Sequence, residues 1–423
     1  MQTIEQSWGK IIKYHRQSKK LKQDDVAFGI CTPSYLSRIE NGIVIAEYAL
    51  YEQLFAKLGI NLSENLQYEK QQNTLLEMIY EKLLSNEPLL QEEIEQMNTM
   101  RNNIQLSEFQ TIVQLIYSRY LLSIKQDIEA REILQQIEPF ITWRNDRITE
   151  LYVAITAFAH LSFKEFQELA EREQKFHYAQ YLNDAHPFEQ ANYQYHLAFA
   201  YHRNYNFQKA LQHIEIATKL FSHQFKPLFQ LKLYSMQGVI LNDLHRFREA
   251  LIEFEAGLDL LTHVESIQTP MQWSSIHNNI AYCFECQSDF DNASKHYKLA
   301  NEYEKDLHSV INWMRTCYQQ NDTTQLTLLL EQYPESLFTV QHHIYQRQLL
   351  HYALNEERSI AALKELEEVV FPHFDQQYYY ALTLFYAPLW GDFYEELHAY
   401  KQASNCYKLA LYASEKVRQR MSS

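Results

Sequence analysis

AFAYHRNYNFQKALQHIEIA (198–217), GVILNDLHRFREALIEFEAG (238–257), AYCFECQSDFDNASKHYKLA (281–300) and GDFYEELHAYKQASNCYKLA (391–410) superimpose without a gap. Each opens on Ala or Gly and carries an aromatic residue or Leu three positions on. Phe or Tyr returns at the tenth residue, Ala at the thirteenth, an apolar residue four later, and Ala or Gly at the twentieth. Apolar residues at three- and four-residue spacing write helices, and each stretch holds parts of two with a turn between. Weaker copies centre on Ala130 (IYSRYLLSIKQDIEAREIL) and Ala362 (LLHYALNEERSIAALKELEE), with degenerate ones around 150–180 and 310–333. Pro88, Pro139, Pro187, Pro227, Pro270, Pro334 and Pro372 lie mostly 40–50 residues apart, the length of two helices and two turns. Proline stops helices, so this spacing marks helical hairpins.

This is the tetratricopeptide pattern, in which small residues let paired helices approach and large ones fill the gaps. It predicts an all-α chain with seven to nine helical pairs, stacked into a right-handed superhelix whose concave face suits an extended peptide or a helix.

The other informative stretch is QDDVAFGICTPSYLSRIENG (23–42). Val26, Ala27, Ile30, Leu36 and Ile39 fall at helical spacing, so two short helices share one core. Gly29 supplies the tight corner, Thr32 and Pro33 cap and open the second helix, and Asn41-Gly42 ends it. That is a helix-turn-helix, whose second helix enters the DNA major groove. A first helix is expected over 4–18 with Ile4, Trp8, Ile11, Ile12 and His15 on one side, helices two and three at 23–28 and 32–40, and a fourth closed by Gly59. The spacing divides the chain into a helix-turn-helix domain (1–62), a polar linker with one or two connecting helices (63–105) and a tetratricopeptide-repeat domain (106–423).

Charge follows the same division. Residues 1–60 carry a net +2 and the remainder a net −17, within a total of −15. Lys10, Lys13, Arg16, Lys19, Lys20 and Lys22 form a run with no acidic residue between them. Attraction to phosphate is thus concentrated at one end, and the acidic bulk repels nucleic acid. The absence of a long apolar run and of a signal-like start predicts a soluble, cytoplasmic protein. Five scattered cysteines argue against a disulfide framework.

Nothing in the sequence demands catalysis: it has no HExxH, GxSxG or Walker motif, and no cofactor or metal is expected. Cys283-Phe-Glu-Cys286 lies mid-helix without a second pair and reads as ordinary packed or half-exposed cysteines. His342-His343 reads as solvated helix histidines. Inner-helix polar residues are the better clue to a ligand: Asn192, Tyr195, Asn242, Asn278, Asn279 and Tyr282. A side-chain amide offers donor and acceptor together and clamps peptide backbone. Arg119 is placed to meet a peptide carboxylate. For each of these residues alone, a surface or helix-pair hydrogen-bonding role is an equal alternative.

SYLSRIENG preceded by QDDVA resembles the Xre/Cro-type repressors, and its turn, one residue short, resembles peptide-regulated transcription factors of Gram-positive bacteria. With the connector and the long repeat array, the architecture resembles the Rap–Rgg–NprR–PlcR–PrgX family of quorum-sensing regulators, and the array length is similar to NprR-like members. The resemblance implies a short re-imported signalling peptide in the groove, altering oligomeric state and DNA affinity. For NprR-like members it also implies a peptide-free activity toward a sporulation phosphorelay response regulator. It carries Gln23 over as a phosphate contact, and puts Thr32, Pro33, Ser34, Tyr35, Ser37 and Arg38 on the recognition helix. Arg38 has the alternative of pairing with Glu40 or another acidic neighbour. A Rap-like phosphatase or sequestering protein, and a phage or plasmid repressor of the same build, are the other readings. A homo-dimer or tetramer is expected because such repressors read two half-sites, with Tyr394, Tyr400, Tyr407, Leu411 and Tyr412 of the last repeat as its contact surface.

Overall fold

The computed structural model describes residues 4–102, 108–354 and 358–421, and it has two compact units, Met1–His196 and Leu197–Ser423. The boundary expected at 105/106 and the side chain of Ile4 lie outside the described residues. The described residues form helices without strands.

The first unit opens with α1 (Ile4–Ser18), α2 (Gln23–Ala27), α3 (Pro33–Glu40) and α4 (Tyr48–Lys57). Trp8, Ile12, Val26, Leu36, Tyr51 and Leu54 close one core, with the Trp8 ring edge-on to Tyr51 at 5.1 Å. Gly9 is fixed by packing: a Cβ there would stand 2.0 Å from the Ile39 carbonyl oxygen, where α1 crosses α3. The turn reads as expected, with Gly29 at φ 81° and Gly42 at φ 70°. Helix α2 ends one residue earlier than the spacing suggests and leaves Phe28 78% exposed.

The connector holds two helices, as expected, but no linker stretch precedes the first of them. Helix α5 (Leu62–Ser85) runs unbroken for 24 residues, capped by the Asn61 side chain, which accepts from the Glu64 amide at 3.3 Å. Leu76, Ile79, Tyr80 and Leu83 recur at three- and four-residue spacing and are buried, which turns a polar sequence into one face of a packed helix. Asn86 takes a left-handed stop before Pro88, and α6 (Gln91–Asn102) follows.

Among the described residues eight helical pairs come next: α7 (Glu108–Ser123) with α8 (Asp127–Ile137), α9 (Arg147–Ser162) with α10 (Phe166–Phe176), and α11 (Pro187–Arg203) with α12 (Phe207–Phe221). They continue as α13 (Pro227–Asp243) with α14 (Phe247–His263), α15 (Pro270–Cys286) with α16 (Phe290–Tyr303), and α17 (Leu307–Gln319) with α18 (Thr323–Gln332). The last are α19 (Gln341–Ala353) with α20 (Ile360–Gln376) and α21 (Tyr380–Glu396) with α22 (Tyr400–Met421). Pro187, Pro227 and Pro270 each open a first helix, where a missing N–H costs nothing. Pro372 does not punctuate: it lies inside α20, as Pro388 does inside α21.

One turn recurs. Lys125, Lys164, Tyr205, His245, Ser288, Asn321 and His398 all hold φ between 57° and 64°. The following amide returns to the carbonyl five residues back, as Asn206 to Tyr201, Arg246 to Leu241, Asp289 to Phe284 and Ala399 to Tyr394, at 2.8–2.9 Å. This is a Schellman stop without glycine, and its acceptor is the residue three on from each repeat's start. The small first residue meets the large seventeenth: a Cβ on Gly238 would stand 2.4 Å from the Phe254 ring, and one on Gly391 2.5 Å from Tyr407.

Candidate nucleic-acid interface and inner-helix face

The Thr32 hydroxyl caps α3 by accepting from the Tyr35 amide at 3.2 Å. Thr32, Pro33, Ser34 and Arg38 are exposed, and Tyr35 and Ser37 are half-buried. The exposed residues are thus those at the N-terminal end of α3, where a groove-reading helix makes its contacts, and Arg38 in its last turn. Glu40 does not pair with Arg38. It is buried and takes Arg16 Nε at 2.6 Å, Arg16 Nη2 at 2.9 Å and Gln23 Nε2 at 2.7 Å. The carboxylate holds the Arg16 guanidinium above its ordinary pKa by hydrogen bonding. Among the described residues no acidic side chain pairs with Arg38, which leaves its charge free toward solvent. Gln23, expected at phosphate, donates one of its two amide N–H groups to Glu40. Lys10, Lys19, Lys20 and Lys22 are exposed around this domain, and Lys13 Nζ donates to Asn41 Oδ1 at 2.9 Å.

Among the expected ligand residues, Arg119, Asn192 and Tyr195 lie in the first unit, and Asn242, Asn278, Asn279 and Tyr282 in the second. Arg119 does not line an open face. It is 3% exposed, donates Nη2 to the Leu83 carbonyl at 2.9 Å, and lies 3.5 Å over the Phe158 ring. Its Nε and Nη1 are unpartnered, and burial pushes its pKa down to about 10. The residue faces the end of α5, where the last carbonyls carry partial negative charge. Asn192 is also buried and donates to the Phe188 carbonyl at 3.0 Å. Burial pushes the Tyr195 hydroxyl up to about 12.

In the second unit, Asn278 Oδ1 accepts from Asn312 Nδ2 at 3.2 Å, and Asn279 and Tyr282 are half-buried beside it in sequence. Asn242 donates to Cys286 Sγ at 3.4 Å and leaves its Oδ1 without a partner. Cys283 is buried and Cys286 exposed, an ordinary packed and surface pair, but Cys286 is the last residue of α15, so the pair ends the helix and does not lie mid-helix.

The histidine reading needs correction. His343 is buried, with Nε2 3.2 Å from His308 Nδ1, and the His342 ring lies 4.3 Å from it. Burial first, then the neighbouring imidazoles, push His342 down to about 3 and His343 to about 4. Sequence reading also missed Arg315, which meets Glu285 at 2.6 and 2.9 Å while the Tyr297 hydroxyl donates to the same carboxylate at 2.8 Å. Asn312 and His308 share α17 four residues apart, a helical spacing that could have marked a polar inner stripe. In the last repeat Tyr394 is buried and donates to Glu367 at 2.7 Å, so only Tyr400, Leu411 and Tyr412 of the expected contact residues are strongly exposed.

His160, Glu165 and Glu168 bring three metal-type ligand atoms together. Arg131 meets Glu165 at 2.8 Å and Arg172 Nη1 lies 3.3 Å from His160 Nε2, so cations of the chain already fill that role. No described helix is long and apolar enough to cross a membrane.

Residues 12–65 match the helix-turn-helix family. The transcriptional activator NprA of Geobacillus stearothermophilus is 20% identical over 405 residues, covering 91% of this chain and 98% of the relative. The apo form of the quorum sensor NprR from B. thuringiensis shares the fold with a TM-score of 0.65 at 14% identity, over 82% of this chain and 99% of that one. A Rap protein complexed with competence and sporulation factor also has a TM-score of 0.65, at 11% identity, over 83% of this chain and 99% of its own.

Proposed function

We propose that the chain is a quorum-sensing regulator of the Rap–NprR–PlcR type, a cytoplasmic transcription regulator gated by a short signalling peptide; the helix-turn-helix match, the likeness to NprA and the fold shared with NprR support this reading. The observation that carries the DNA half is the exposed N-terminal end of α3 together with Arg38 in its last turn, unpaired by any described carboxylate. Glu40, gripped by Arg16 and Gln23, sets the angle of that helix, and exposed lysines supply attraction to phosphate. Arg38, Ser34 and Tyr35 reach base edges or the flanking phosphates. A two-fold dimer places two such helices on successive turns of the duplex.

On the inner helices of the second unit, Asn242, Asn278, Asn279 and Tyr282 offer amides and a hydroxyl to a peptide backbone, and the unpartnered Asn242 Oδ1 supports that use. Peptide occupancy shifts the balance of oligomeric states and thereby DNA affinity. A response regulator is the further partner in this reading, supported by the packing of α5 and α6 on α7 beside the first repeats.

The test selects bound duplexes from a random-sequence DNA pool with the full chain, then repeats the measurement with Arg38→Ala at fixed salt. Enrichment of one sequence by the wild type and its loss in the variant support the docking; equal enrichment by both overturns it. For the second half, a random-sequence peptide pool is captured by the full chain, and Asn279→Ala should weaken retention of the enriched peptide.

A further inference from the structure

Tyr205 and Tyr378 both occupy left-handed turns, at φ 62° and 58°. A bulky side chain adopts that conformation at a cost that glycine or asparagine avoids. Lys125, Lys164, His245, Ser288, Asn321 and His398 hold the equivalent left-handed position of the other pair turns, and all six are exposed. Tyr205 is half-buried, because its side chain reaches the far end of its own unit. Its hydroxyl donates to the Tyr378 carbonyl at 2.9 Å and accepts from the Ala381 amide at 3.4 Å, across 173 and 176 residues of sequence. The rings of Tyr205 and Tyr380 lie 5.6 Å apart, and the Arg420 guanidinium covers Tyr378 at 4.8 Å and Tyr380 at 5.5 Å. Thus the first turn of the second unit is tied to its last helical pair, and α22 backs the tie.

We propose that Tyr205 is a latch: bonded to the α20–α21 turn, it joins the two ends of the second unit and restricts access to the inner faces of α13, α15 and α17 that lie between them in the chain. The proposal rests on the reading of those faces as the peptide-accepting surface, and assigns to the latch the control of entry. The hydroxyl bonds backbone atoms only, so the contact depends on the position of the turn and not on the side chains at 378 and 381. The contact is also small, one hydroxyl and a ring pair, so it opens at low cost compared with the cores on either side. Tyr379, inside the latched turn, lies 4.6 Å from the His342 ring, which connects the latch to the His308–His343 pair on α17 and α19.

Cys286 is exposed to water and its sulfur accepts from Asn242, so its rate with a reagent much larger than water reports on access to that face; Cys283, Cys317 and Cys406 are buried, and the half-buried Cys31 lies in the first unit. The full chain, without peptide, is treated with a bulky maleimide, and labelling at Cys286 is followed by peptide mapping, alongside deuterium exchange of the Ala381 amide. Tyr205→Phe removes the hydroxyl and keeps the ring; Tyr205→Ala removes both. The latch predicts that Ala381 exchange and Cys286 labelling each accelerate about threefold to tenfold in Tyr205→Phe, with a larger change in Tyr205→Ala. Unchanged Cys286 labelling in both variants overturns it, even if Ala381 exchange quickens, because the contact is then only local. Unchanged helical circular dichroism in Tyr205→Phe shows that the label reports opening and not unfolding. Because no peptide is present, the outcome stands whether or not a random-sequence peptide pool is later captured; failure of that capture alone counts against the peptide reading.

Discussion

Arg16 and Glu40 form a two-bonded ion pair, at 2.6 and 2.9 Å, that ties α1 to the last turn of α3. Glu40 is 1% exposed, and Gln23 fills its remaining acceptor site. A buried carboxylate with three donors sets the angle between α1 and α3. Arg16 also donates Nη1 to the Leu21 carbonyl at 3.0 Å, so the same guanidinium fixes the α1–α2 corner.

Glu40→Ala leaves the Arg16 charge half-buried without its partner. Removing one member of a buried pair costs about 3 kcal/mol or more. The helix-turn-helix domain should melt at lower temperature, and duplex binding should fall even though Glu40 itself faces away from solvent. Thermal denaturation with a binding titration checks this; a variant equal to wild type in both would remove the pair from the account.

Gly238 faces Phe254 as the small residue of its repeat, with 2.4 Å available to a Cβ. Gly238→Ala should therefore destabilise by about 1–3 kcal/mol through overpacking, although alanine is the better helix former. Combining it with Phe254→Leu should recover part of the loss, since the clash lies with the ring. Denaturant titration of the two single variants and the double variant gives the coupling, and strict additivity would contradict the packing account.

The repeat offsets were legible because small and large residues alternate at positions that the helix period brings face to face, as Gly238 with Phe254 and Gly391 with Tyr407. The cap at Thr32 and the stops at Gly29 and Gly42 were legible for a similar reason: each is a local signal, complete within four residues. The pair turns were not, because Lys125, His245 and Ser288 adopt the left-handed stop that sequence reading assigns to glycine, and the helices packed around them fix it. A connecting helix was legible, but the start and full length of α5 were masked by its polarity, since only one narrow face is buried. The candidate sites were read least well. Whether a polar inner-helix residue faces a groove or a neighbouring helix depends on packing between pairs, which put Arg119 under α5 and His343 against His308.

Arg315 and Glu285 form the buried counterpart of the Arg16 pair in the second unit. Their heavy atoms meet at 2.6 and 2.9 Å, both residues are buried, and the Tyr297 hydroxyl adds a third bond to the carboxylate. Arg315→Met should cost about 3–5 kcal/mol, because Glu285 is left charged among apolar neighbours. Adding Glu285→Leu should restore much of it, leaving Tyr297 as the residue short of an acceptor. A double variant no more stable than Arg315→Met would mean that the pair is not the source of the loss.

Acid should weaken the second unit before its carboxylates titrate. Burial, reinforced by a neighbouring cation or imidazole, pushes His213, His277 and His343 down to about 4 and His342 to about 3, from an ordinary 6.5. A histidine whose folded pKa is depressed binds its proton more readily when unfolded. Its contribution is therefore fully present above the unfolded value and is lost as pH falls below 6.5, with no further loss once pH is under the folded value. Between about pH 7 and pH 5 few carboxylates change charge, so the slope there belongs to histidines. Melting temperature should fall steadily across that range. His343→Gln, which keeps a polar group beside His308 and cannot titrate, should flatten the slope by about one proton while costing stability at neutral pH. A melting temperature independent of pH over this range, or an unchanged slope in the variant, would show that these imidazoles are not held neutral by the fold.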